Sequence, residues 1–298
     1  MLYRLSFESM RNMIQDSDMT GFFLHDDVAM AHTAQPIIKA FVTSSPLFLV
    51  DARIGMVKKG RAVYTINLMD VDVQEGDIVY ISKGSTLQVK EMSDDFDITG
   101  MAFDDNRLNL AYNGRPPMIY QQYSLLRIIH ATTEEQEVFR MSLELMWRVN
   151  QLGHGNQHTL DMCVGQLLSL FDQFLNRQEQ QQPVAASRQQ DIFNRFLQLV
   201  NQHVNEAHKI DFYADRLCLT TRYLGTIIKE VSGETGKVWI DRALVTQAKV
   251  MLQYTDKQVA QVSDLLGFPN NSFFCHFFKK QTGLTPQAYR SRKEEGQG

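Results

Sequence analysis

The sequence is poor in the features that mark membrane proteins and common enzymes. It has no apolar run approaching the ~18 residues that cross a bilayer. Its start, "MLYRLSFESMRNMIQDSDM", carries acidic residues and no continuous apolar core. Neither a membrane span nor a secretory signal is expected. The three cysteines, Cys163, Cys218 and Cys275, are scattered. That spacing excludes a disulfide framework and a zinc pattern, and it suits a reducing cytoplasm. No Walker-type loop, GxGxxG, HExxH or GxSxG occurs anywhere, so the chain is read as a non-enzyme without a cofactor.

What is present is an uneven charge. Residues 187–298 hold 15 Lys and Arg against 11 Asp and Glu, a balance of +4, whereas residues 1–186 hold 15 against 23, a balance of −8. A basic C-terminal part on a chain of net charge −4 hints at a polyanionic partner for that part alone.

Residues from about 20 to 104 read as short strands rich in β-branched residues, among them "RAVYTINLM" (61–69), "GDIVYIS" (76–82) and "TLQVKEM" (86–92). Turn signals at 58–60, 75–77 and 83–84 separate them, so a β-barrel or a sandwich is expected. Residues 105–130, with Pro116-Pro117, read as irregular connection. A helical period follows. Thr132 and Glu135 have capping-box spacing, and Val138, Met141, Leu145, Met146 and Val149 recur every three to four residues. A second helix carries Leu160, Cys163, Val164, Leu167, Leu168, Phe171 and Leu175 on one face. Both helices need a covering partner, either the strands or the same helices of a second subunit. The polar, low-complexity "NRQEQQQPVAASRQQ" (176–190) then reads as a linker.

The C-terminal part repeats itself. Shifted by 50 positions, "TTRYLGTIIKEVSGETGKVW" (220–239) falls on "NNSFFCHFFKKQTGLTPQAY" (270–289), with Lys229 on Lys279, Gly233 on Gly283 and Trp239 on Tyr289. After a one-residue gap, "IDFYADRLCL" (210–219) pairs with "VAQVSDLLGF" (259–268), with Ala214 opposite Ser263. Each copy reads as a short helix, a tight turn and a second helix. In the later copy the first helix spans roughly 256–266 with Asp256 as candidate N-cap. Gly267 makes the turn and the next helix starts near Asn270 or Asn271. Phe273, Phe274, Phe277 and Phe278 form an apolar stripe expected to be core, while 271, 272, 275, 276 and 279 face outward. That is the pattern of a helix-turn-helix, whose second helix enters the DNA major groove.

Residues of about 190–292 resemble the DNA-binding domain of the AraC/XylS family of transcriptional regulators, on the strength of "GFPNNSFFCHFFKKQTGLTPQAYR" (267–290). The first copy departs from the family pattern, with Cys218 at the turn position and "IIKE" in place of "FFKK". The resemblance implies two helix-turn-helix subdomains joined by a long helix, here about 237–253. The rest of the chain resembles, less closely, the family's usual companion, a cupin-like β-barrel followed by dimerization helices. The implied class is α+β: a cupin-like barrel sensor over 1–130, a helical dimerization segment over 131–178, a linker over 179–188 and an all-α double helix-turn-helix domain over 189–293. The implied function is a sequence-specific, cytoplasmic, dimeric transcription regulator, an activator in the first instance. It would bind double-stranded DNA and, by family resemblance, meet RNA polymerase.

On the first recognition helix Thr221, Arg222, Gly225 and Thr226 face outward; on the second, Asn271, Ser272, Cys275 and His276. Arg222 can pair bidentately with guanine and Asn271 with adenine, while His276 can reach a base or a phosphate. Plain solvation is the alternative for each. Lys229, Lys279 and Lys280, with the helix N-termini at Thr220 and Asn270, are the phosphate candidates. In the N-terminal half, His25, His32 and His130 flank the strand region instead of clustering in it, so no metal site is expected. Met30, Met56 and Met69 fit a core or an apolar cavity. Arg53, Lys58, Lys59 and Arg61 fit solvated edges or an anionic ligand. The effector is not identifiable, and the N-terminal half could instead receive a protein partner. A cupin enzyme with a helical appendage is the rival of another class, disfavored by the missing histidine cluster.

Overall fold

The structure, a computed structural model, describes residues 4–7, 10, 21–35, 38, 46–121, 126–152, 157–180 and 184–295. The chain divides into two compact units. One is built mainly from Leu5–Ser44 with Leu49–Pro183, the other mainly from Val184–Gly298.

The strands, in chain order, are β1 (Arg4–Leu5), β2 (Phe22–Leu24), β3 (Val28–Ala31), β4 (Leu47–Leu49), β5 (Ala52–Lys59), β6 (Arg61–Ile66), β7 (Met69–Gln74), β8 (Asp77–Ile81), β9 (Thr86–Met92), β10 (Asp97–Phe103) and β11 (Leu126–His130). Six of them form one sheet in the order β11-β8-β5-β10-β3-β2, and β9, β6 and β7 are neighbors in a second. Among the described residues the two sheets do not close into a barrel. Gly60, at φ +73°, turns the chain from β5 in one sheet to β6 in the other, so two consecutive strands do not pair. Strand spacing alone cannot distinguish such a corner from a hairpin.

Two further stretches differ from expectation. The segment 61–69 is broken by Asn67 and Leu68, which both take positive φ and close a two-residue hairpin between β6 and β7. Such a turn demands left-handed backbone at both positions. Asn67 tolerates it and is fixed by bonds from its amide to Ser85 (3.1 Å) and from the Thr86 N–H to its oxygen (3.0 Å); Leu68 gave no signal. The stretch 105–130 contains helix α1 (Asp105–Ala111), helix α2 (Met118–Gln121) and strand β11. Asp104 caps α1 by accepting from the Arg107 N–H at 3.0 Å.

Helices α3 (Thr133–Gln151) and α4 (Gln157–Gln180) cover one face of the six-stranded sheet. Met30, Ile54, Met56, Ile78, Tyr80 and Met101 of the sheet join Phe139, Leu143, Met146, Leu167 and Phe171 in one core. At the start of α3, Thr132 and Glu135 make the reciprocal bonds of a capping box. The same periodic pattern leaves Val138, Met141 and Leu145 on the outer face, 39%, 57% and 48% exposed.

The helical unit comprises α5 (Val184–His203), α6 (Ile210–Arg216), α7 (Thr221–Ser232), α8 (Gly236–Tyr254), α9 (Val259–Leu265), α10 (Asn271–Thr282) and α11 (Pro286–Glu295). Residues 181–183 of the expected linker lie outside the described residues. Phe193 and Phe196 of α5 pack edge-on against Trp239 (5.4 Å) and Tyr213 (5.6 Å), the favored geometry for aromatic quadrupoles. The α5 helix thus belongs to the core of the first motif. The cap expected at Asp256 is instead at Gln258, whose N–H donates to Gln261 Oε1 at 2.9 Å.

Candidate nucleic-acid interface

The two motifs, α6–turn–α7 and α9–turn–α10, share the bonds of the turn and of both ends of the second helix. At the turn, the Leu219 N–H donates to Ala214 O (2.9 Å) and the Phe268 N–H to Ser263 O (3.1 Å). Ala214 and Ser263 are fully buried where each helix pair crosses, as a close crossing of backbones requires. Thr220 Oγ1 accepts from the Tyr223 N–H (3.2 Å) and Asn270 Oδ1 from the Phe273 N–H (3.0 Å). Each bond satisfies one orphan donor at the start of a recognition helix. At the other end Gly233 and Gly283 adopt left-handed φ, and their N–H groups return to the Lys229 and Lys279 carbonyls at 2.9 and 2.8 Å.

The buried side of α7 is Leu224, Ile227 and Ile228, and that of α10 is Phe274 and Phe278. Phe273 is not core. It is 64% exposed, and Tyr223, its counterpart, is 46% exposed. Position 273 lies about 100° around the helix from Phe274, beyond the edge of the stripe centered on 274 and 278. Each recognition helix therefore shows one large aromatic beside its polar face, and the Tyr223/Phe273 match in the repeat was the available signal.

Thr220, Thr221, Arg222, Thr226 and Lys229 are exposed on α7, as are Asn270, Asn271, Ser272, His276, Lys279 and Lys280 on α10; Cys275 is half-buried. All therefore lie on or beside the two outer faces, but their hydrogen-bonding capacity differs. Thr221 Oγ1 donates to Asp211 (2.8 Å), Thr226 Oγ1 to the Arg222 carbonyl (3.0 Å), and Cys275 Sγ to Asn271 Oδ1 (3.6 Å). Among the described residues, neither the Asn271 amide NH₂ nor the Arg222 guanidinium donates a hydrogen bond within the chain. Lys229 is followed by Glu230, which accepts from Gln189 (2.9 Å), whereas Lys279 is followed by Lys280. The second motif thus offers two cations to a polyanion where the first offers a cation and an anion. Asp211 was missed because it lies on the other helix of its motif.

The three histidines that flank the strand region do not converge. His25 meets Asn150 (2.7 Å), His32 meets Glu144 (3.0 Å) and His130 meets Asp77 (2.9 Å). Arg53 is taken up by Asp51, and Lys58 by Asp97 and the His32 carbonyl. Buried Arg107 is held between Asp27 and Asp161. Among the described residues no helix is long and apolar enough to cross a membrane.

A family model for a helix-turn-helix domain matches residues 213–292. The regulatory protein PocR of Salmonella typhimurium is 27% identical over 99 residues, 33% of each chain. The arabinose operon regulatory protein of the same organism is 26% identical over 154 residues, 50% of this chain and 52% of that one. The transcriptional activator RhaS of Escherichia fergusonii is 20% identical over 242 residues, 81% of this chain and 85% of that one. The match spans about a third and about a half of the length of the first two of these curated relatives. The residues that the family model matches lie within the helical unit and take in most of the double motif described above, so the C-terminal part of this chain is an AraC-type helix-turn-helix domain, similar to those of DNA-binding transcriptional regulators.

Proposed function

We propose that the protein is a sequence-specific activator of transcription that works as a cytoplasmic dimer and takes a signal through its N-terminal unit. The observation that carries this reading is the duplicated motif, capped alike in both copies and presenting Arg222, Asn271, His276 and three lysines outward. The two recognition helices would enter successive major grooves about 34 Å apart, with Arg222 and Asn271 at base edges and Lys229, Lys279 and Lys280 on phosphates. The relative named as an activator supports the sign of regulation. Regulation at a promoter would bring RNA polymerase as a second partner. In this reading residues 1–130 are a cupin-type sensor, 131–178 the dimerization segment and 179–188 the linker. A small-molecule effector is the first choice of signal; it would act by shifting the population of DNA-competent arrangements.

The test is selection of bound sequences from random duplex DNA by the purified full-length protein at near-physiological salt. An enriched motif of two half-elements about one helical turn apart is the expected result. Absence of enrichment from both the full chain and residues 187–298 would sink the DNA-reading function.

A further inference from the structure

The corner between α5 and α6, part of the first motif's surroundings, touches the turn of the second motif. His208 Nε2 lies 2.8 Å from the Leu266 carbonyl oxygen. A carbonyl only accepts, so Nε2 carries the proton and donates. The same ring packs at 5.2 Å from the ring of Phe268. Between these two residues, a Cβ on Gly267 would stand 2.5 Å from the Asn205 carbonyl oxygen and 3.6 Å from His208 Nε2. The bare glycine is what lets the corner seat on the turn.

This contact joins parts of the chain 58 residues apart. The turn it grips, 266–268, is the one that aims α10. The long helix α8 also joins the two motifs, packing against helices of both. A single joining helix leaves rotation about its own ends, and a second tether off its axis removes that freedom.

We propose that His208 is a positioning residue for DNA reading: by clamping the Leu266–Phe268 turn to the α5–α6 corner it sets the separation and phase at which the two recognition helices meet DNA. This inference rests on the DNA-reading function proposed above. It makes tolerance of half-element spacing, more than base preference, the property that His208 controls.

The experiment uses the full-length protein and the duplex it selects, with the two half-elements moved closer or apart by one and two base pairs. Each added base pair displaces an element by about 3.4 Å and rotates it by about 35°. The native protein is expected to lose about tenfold or more on a shifted duplex, as it would for a lost base-pair contact. In His208→Ala the ratio of shifted to unshifted Kd should shrink severalfold. His208→Gln, whose amide can still donate to a carbonyl, should restore it. If thermal melting shows His208→Ala unfolded, the ratio is read for His208→Asn, whose amide stops short of Leu266. A spacing ratio unchanged by the Ala or Asn replacement overturns the clamp, and so does a Gln variant that behaves like Ala. Failure of both the native protein and residues 187–298 to select any sequence overturns the DNA-reading function itself, and the clamp with it.

Discussion

Cys218 and Gly267 stand at matching points of the two turns and share a left-handed backbone, with φ of +56° and +69°. Only their surroundings differ. Cys218 is exposed, whereas the Cβ direction of Gly267 runs into the Asn205 carbonyl. A left-handed side chain costs about 1–2 kcal/mol, partly offset by the greater chain entropy that glycine loses on folding. Cys218→Gly should therefore stabilize the protein by about 0.5–1 kcal/mol. Gly267→Ala combines the backbone strain with a steric clash and should cost about 2 kcal/mol or more. Urea unfolding of both variants checks this. Similar small effects at the two positions would mean that the corner does not press on the second turn.

Gly225 is the opposite kind of glycine. It sits inside α7, its φ is ordinary, and nothing lies within 4 Å of a Cβ built there. Folding alone would favor alanine by about 1 kcal/mol. Gly225→Ala should raise the melting temperature. If α7 approaches the groove by its backbone at this point, the same change should weaken binding to the selected duplex and leave bulk DNA binding unaltered. A rise in both stability and specific affinity would place this part of α7 away from the DNA.

The double motif was legible because its determinants are local. Thr220 and Asn270 sit where a cap must sit, Gly233 and Gly283 where a helix must stop, and the apolar spacing of 224, 227 and 228 matches that of 274, 277 and 278. The errors came where a short-range pattern met a long-range fact. Phe273 fits the apolar period yet lies past the edge of the surface that α10 buries, and no residue near it in sequence says how wide that surface is. The Asp256 cap failed because the helix starts later, at a Gln258–Gln261 pair that ranks low as a capping signal. Strands such as β8 and β9 were readable from their own residues, whereas β11 and the break at Asn67-Leu68 were not, and how Gly60 divides the strands between two sheets is a matter of pairing at a distance. His208 could not be found at all, since its partner is a backbone carbonyl on another subdomain.

Base reading and phosphate grip should separate by mutation. Asn271→Ala removes an amide able to bond adenine and should cost about 1–3 kcal/mol on the selected duplex, with relaxed preference at one base pair. Lys279→Ala should weaken selected and unselected duplexes about equally and reduce the slope of log affinity against log salt by about 1. Binding isotherms at several salt concentrations distinguish the two. An Asn271→Ala protein with undiminished selectivity would show that α10 faces the duplex by another side.

Asp172 gives the sheet-rich unit a pH signature. Tyr120 and Tyr112 donate to its two oxygens at 2.8 and 3.0 Å, yet burial outweighs these bonds and pushes its pKa up. The folded carboxyl therefore holds its proton to higher pH than the unfolded chain, in which it titrates near about 3.9. Between those two pKa values the folded state binds more protons, so stability falls as pH rises through the window. Asp172→Asn cannot titrate. Across the window, the native protein's stability relative to Asp172→Asn should decline with rising pH. Denaturation midpoints that run parallel for the two proteins would remove Asp172 from the pH response.

The outer face of α3 bears on the oligomeric state. Val138, Met141 and Leu145 recur at helical spacing on the side opposite Phe139, Leu143 and Met146, and each is between 39% and 57% exposed. Burying a fully exposed side chain of this size contributes about 1.5–3 kcal/mol. Six such residues from two protomers, each about half-exposed, would supply roughly 5–9 kcal/mol. Association itself costs an estimated 4–15 kcal/mol, so in the dimer proposed above a stripe of this size supplies a large share of the association energy and needs further contacts beside it. Two charges placed in it should then be enough. Met141→Glu with Leu145→Glu should convert a concentration-dependent dimer to a monomer in sedimentation while leaving the melting temperature of the helical unit unchanged. The monomer should still bind one pair of half-elements and lose the added affinity of a duplex carrying two pairs. A double variant that sediments as the native protein does would move the dimer interface off this helix.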